Sequence, residues 1–113
     1  AYANLNKIAK GELKAEALYF DAYFKNKEGK YEASNKVVEK ISTDYSGYKY
    51  FGANALVLMA KNYYKLNDSF QATEILKSII ENFTEYADVV ADAQKELDLI
   101  KAEEAKRNSS ITK

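Results

Sequence analysis

Residues 37–48, VVEKISTDYSGY, and residues 75–86, ILKSIIENFTEY, carry the same order of apolar positions 38 residues apart. Val37, Val38, Ile41, Tyr45 and Tyr48 in the first stretch match Ile75, Leu76, Ile79, Phe83 and Tyr86 in the second. Steps of three and four residues put these side chains on one face of an α-helix, whereas a strand would need a period of two. A helical unit that recurs at such a spacing cannot bury both its faces alone, so the pattern predicts neighbouring units stacked on one another.

The match extends in both directions. Ala53 and Ala55 pair with Ala91 and Ala93 at the same separation of 38. Upstream, Phe24 pairs with Tyr63, Tyr31 with Phe70 and Ala33 with Ala72 at a separation of 39, which implies one residue gained or lost in the second helix.

Periodicity and punctuation then divide the chain into five helices. Leu5, Ala9, Leu13, Ala17, Phe20 and Phe24 form one stripe on a first helix over 4–27, closed by Glu28-Gly29-Lys30. A second helix over 31–44 folds back on it through a short turn. After Ser46-Gly47 a third helix runs over 48–66, and Asp68 or Ser69 caps a fourth over 69–83. The hairpins therefore span 4–44 and 48–83. Val89, Val90, Ala93, Leu97 and Ile100 leave a fifth helix, over 86–105, with one narrow apolar stripe and a polar outer face suited to capping the stack. Residues 1–107 form the domain, and 108–113 read as a disordered tail. The opening AYANLNKIAKGELK has neither an initiator methionine nor a signal-like apolar run, and Tyr2 and Ile8 lie off the main stripe, so the chain reads as the C-terminal part of a longer helical protein.

Composition narrows the function classes. The sequence contains no proline and four glycines, too few turn formers for a sandwich or barrel. It has neither cysteine nor histidine, which removes thiol nucleophiles, the usual transition-metal ligands and the commonest acid–base side chain near neutrality. The glycines are isolated, so no phosphate-cradling loop can form. The expectation is a protein without catalytic residues, cofactor or metal. Seventeen basic residues balance seventeen acidic ones, which argues against nucleic acid even though GYKYFGAN (47–54) and KNYYKLN (61–67) interleave lysines with tyrosines. No stretch reaches the roughly 20 apolar residues of a membrane span, so membrane insertion is not expected.

The segments EGKYEAS (28–34) and NDSFQAT (67–73), with Phe24 and Tyr63 late in the preceding helices, resemble the tetratricopeptide repeat family over residues 10–100. The chain departs from that family's pattern in lacking its tryptophan and its closing proline. The resemblance implies antiparallel helical hairpins stacked as a right-handed superhelix, with the first helix of each hairpin lining a concave groove that takes a protein or peptide partner. It assigns that role to Tyr19, Tyr23, Asn26, Asn54, Lys61, Tyr64 and Lys65. The long period, with Tyr45 to Tyr48 and Phe83 to Tyr86 between hairpins, is similar to repeat proteins of the bacterial envelope, which implies a periplasmic setting.

Ten of the 113 residues are tyrosine, and Phe20, Phe24, Tyr63, Phe70 and Phe83 on the apolar stripes read as core packing rather than ligand contacts. Two other readings stay open: a structural module that self-associates, favoured by the polar face of the fifth helix, and a glycan-binding segment, favoured by the abundance of tyrosine.

Overall fold

The computed structural model describes residues 2–111, with side chains placed from Gly11 to Arg107. It comprises five helices, α1 Tyr2–Lys27, α2 Tyr31–Asp44, α3 Lys49–Lys65, α4 Ser69–Asn82 and α5 Ala87–Ile111, and no strand among the described residues. The protein is all-α, and α2, α3 and α4 lie within a residue of their expected bounds. Helix α5 does not fray near residue 105 but continues to Ile111, so the tail expected over 108–113 is helical that far; residues 112–113 lie outside the described part.

Two turns of the same construction set the layout. Gly29 and Asn67 both adopt left-handed backbone, with φ of 79° and 65°. At the first, Lys30 N–H donates to the Lys25 carbonyl at 2.8 Å and Gly29 N–H to that of Asn26 at 3.1 Å. At the second, Asp68 N–H donates to Tyr63 at 2.8 Å and Asn67 N–H to Tyr64 at 3.1 Å. This paired bonding satisfies the last carbonyls of a helix and needs a residue that tolerates positive φ, which glycine does freely and asparagine better than most. Asp68 then caps α4, its Oδ1 accepting from Gln71 N–H at 3.1 Å.

The turns also correct the register. Gly29 and Asn67, the starts of α2 and α4, and the starts of α3 and α5 are all 38 residues apart. No residue is gained or lost in the second helix. Buried Ser34 is therefore the counterpart of buried Ala72, and the 39-residue pairings of Tyr31 with Phe70 and Ala33 with Ala72 are coincidences of residue type.

Each helix packs on the next, and α3 also touches α1 and α5, giving an elongated body of 65 × 28 × 18 Å. The core has two parts. Ala22 of α1, Val38 and Ile41 of α2, and Ala55, Leu58 and Met59 of α3 form one. Ala53, Val57 and Ala60 on the other side of α3 join Ala72, Leu76 and Ile79 of α4 and Val89, Ala93, Leu97 and Ile100 of α5 in the second. Ile41, Leu76 and Ile79 are fully buried, each contributing about 2–3 kcal/mol by apolar burial.

Not every apolar stripe is covered. Phe20 and Phe24 on α1 and Phe70 on α4 are exposed, contrary to the core reading, while Tyr63 and Phe83 are half-buried against the core. Helix α1 instead turns Ala15 and Ala22 inward, flanked by Leu18, Tyr19 and Tyr23. Gly11, at its inner edge, lies where a Cβ would collide with the Tyr48 hydroxyl, so the α2–α3 turn seats its ring against bare backbone.

Candidate functional site

Helix α3 is the centre of the site because α1 and α5 both pack on it. Between α1 and α3 lies a hollow of about 90 Å³, walled by Tyr19, Tyr23, Asn26, Asn54 and Lys61, with Val57 and Leu58 among its lining and Asp92 reaching in from α5. A second, of about 210 Å³, is lined by Asn26, Lys61, Tyr64, Lys65 and Tyr31, with apolar Leu76 and Ile100 and the carboxylate of Glu96. Asn26, Lys27 and Lys61 line both, so the two hollows adjoin. All seven residues singled out from the sequence line one hollow or the other.

A buried polar network stands behind them. Asn62, fully buried on α3, donates through Nδ2 to Ser34 Oγ at 2.8 Å and Asn35 Oδ1 at 2.9 Å. Its Oδ1 accepts from Asn26 Nδ2 at 2.7 Å, and Ser34 Oγ donates to the Ala22 carbonyl at 2.7 Å. Three helices are thus joined through one amide, with no buried side-chain polar atom left unpaired among the described residues. The network fixes the position of Asn26 in the wall.

Tyrosines bind the α5 side. Tyr50 donates to Asp88 Oδ2 at 2.6 Å and packs edge-on against Tyr86, and Tyr64 donates to Glu103. The hydrogen bond to Asp88 raises the Tyr50 pKa and lowers that of Asp88, and the bond to Glu103 raises that of Tyr64. Tyr19 is raised mainly by burial, then by the neighbouring Tyr23 and Asp92. These phenols stay protonated at neutral pH, Tyr50 and Tyr64 as donors and Tyr19 as part of the wall of the smaller hollow. Lys27 lies over the Tyr23 ring at 5.2 Å from its centroid.

Charge is divided across the site. Lys27, Lys61 and Lys65 border the hollows from α1 and α3, while Asp92 and Glu96 border them from α5. Among the described residues neither Lys61 nor Lys65 forms an ion pair. The arrangement offers cations, amides, phenols and carboxylates over an apolar floor.

A further hollow of about 350 Å³ lies where α2 and α4 end, lined by Ser42, Tyr45, Ser46, Lys49, Leu56, Asn82, Phe83 and Glu85. Its polar residues carry no periodic signal by which the sequence could mark them as a site. Among the described residues no group of three or more Asp or Glu is placed to hold a metal ion, and no helix is long and apolar enough to cross a membrane. Comparison with protein-family models, curated proteins and solved structures finds no significant match.

Proposed function

We propose that the chain is a tetratricopeptide-like stack of two hairpins and a closing helix that acts as a non-catalytic scaffold, holding a segment of a protein partner along the face shared by α1, α3 and α5. The observation that carries this reading is the pair of adjoining hollows, whose walls combine aromatic rings, unpaired lysines and a fixed amide. Aromatic side chains supply large contact area at small entropic cost, and the lysines and carboxylates orient a chain of mixed charge. The helix boundaries spaced by 38 residues support the stacked-hairpin part of the proposal.

A displayed peptide library panned against the protein tests it. Selected peptides bind the parent chain and lose about tenfold or more in affinity on Tyr23→Ala or Lys61→Ala, as for truncation of central interface residues. Peptides that bind both variants as tightly as the parent would remove the assignment.

A further inference from the structure

The apolar stripe of α1 that faces solvent has counterparts in the other two helices of its kind. Leu13, Ala17, Phe20 and Phe24 correspond, 38 residues on, to Phe51, Ala55, Leu58 and Asn62 of α3, and 38 further to Val89, Ala93, Glu96 and Ile100 of α5. Ala55, Leu58 and Asn62 are at most 5% exposed, and Val89, Ala93 and Ile100 at most 4%. They are covered by the preceding hairpin: α3 packs on α2, and α5 packs on α4. On α1 the same positions are open, with Leu13 60%, Phe20 46% and Phe24 60% exposed.

On a helical wheel the stripe is bordered by Asp21 and Lys25, joined by an ion pair of 2.6 Å, on one side and by Glu16 and Lys27 on the other. An apolar strip within a polar rim is the form of an interaction surface. The opposite end of the stack differs. Where α3 presents Ala53, Val57 and Ala60 to the next hairpin, α5 carries Ala91, Lys95 and Asp98, all exposed. That end mixes charged residues with an exposed Leu99, whereas the α1 end continues the α2–α3 and α4–α5 interfaces.

From this continuity we infer that the outer face of α1 docks an amphipathic helix of the α2 and α4 kind. The partner helix carries paired aliphatics, an isoleucine three residues on and an aromatic four further, as Val37-Val38, Ile41 and Tyr45 or Ile75-Leu76, Ile79 and Phe83 do. It comes from outside the described residues, and its site shares only the bordering Lys27 with the hollows, so the inference stands whether or not they hold a peptide.

Synthetic peptides of residues 29–48 and 67–86, the helices that cover the equivalent faces, are the probes. Titrated into the isotope-labelled full chain, they shift the amide resonances around Leu13–Phe24 and gain helical circular dichroism. A Phe20→Ser/Phe24→Ser variant, both positions being exposed, keeps the parent's far-ultraviolet spectrum and weakens the interaction about tenfold or more. Resonance shifts confined to the Tyr23–Lys61 face, or no shift at millimolar peptide, would overturn the inference. So would self-association abolished by the same double variant, because a second copy of the chain would then be the occupant.

Discussion

The two junctions where three helices meet share a backbone plan and differ in what fills them. At the α1–α2–α3 junction the centre is Asn62, bonded to Ser34, Asn35 and Asn26. At the α3–α4–α5 junction the corresponding residues are Ile100, Ala72, Thr73 and Tyr64, and the centre is aliphatic. An aliphatic centre gains stability from burial without direction. A bonded amide contributes less net free energy, yet it fixes the relative positions of the groups it joins. The polar junction is the one whose edge residue, Asn26, lines both hollows. The α3–α4–α5 junction thus supplies burial, and the α1–α2–α3 junction supplies positional precision.

The largest effect expected is in the aliphatic half. Ile79→Ala removes a fully buried side chain from the larger core and lowers unfolding stability by about 3–4 kcal/mol in chemical denaturation. A loss under about 1 kcal/mol at Ile79 would contradict an aliphatic junction that supplies stability.

Next is the polar half. Asn62→Ile alone strands Asn35 and Asn26 and costs about 2–3 kcal/mol. Combining it with Ser34→Ala and Asn35→Thr, which leaves only the half-buried Asn26 without its partner, recovers most of that loss. A triple variant no more stable than the single one would show that the junctions are not interchangeable.

A smaller effect separates the two turns. Gly29→Ala costs about 1–2 kcal/mol because it forces a Cβ into left-handed backbone, whereas Asn67→Gly is neutral or stabilising by a few tenths of a kcal/mol. Thermal unfolding of the two variants checks both signs.

The smallest is electrostatic. The hydrogen bond from Tyr50 holds the Asp88 carboxyl below its ordinary value. Its stabilising contribution is therefore present above the unfolded carboxylate pKa of about 4 and is lost as the pH falls through the lower folded value. Tyr50→Phe brings the Asp88 titration, followed by carboxyl NMR, back toward the ordinary value; an unmoved titration would deny the bond in solution.

Much of the helix layout is legible in the sequence, since three- and four-residue spacing and Gly29 or Asn67-Asp68 mark the elements directly. The register is less legible. Tyr31 with Phe70 and Ala33 with Ala72 match by type, but burial and backbone φ set the true equivalence one residue away. Periodicity identifies the apolar face of α1 without saying what covers it, so Phe20 and Phe24 read as core although they face solvent. The residues lining the hollows are named by what the tetratricopeptide resemblance implies for the first helix of each hairpin, and periodicity alone does not single them out. The Asn26–Asn62–Ser34–Asn35 network leaves no trace in periodicity, because it joins polar residues on three helices through contacts distant in sequence.

The proposed partner segment lies on the α1–α3–α5 face. Amide chemical-shift mapping of the labelled chain with a library-selected peptide tests it most directly. The largest shifts are expected at Tyr19–Lys27 and Asn54–Lys65, with smaller ones near Asp92; shifts confined to the Ser42–Lys49–Glu85 hollow would place the segment elsewhere.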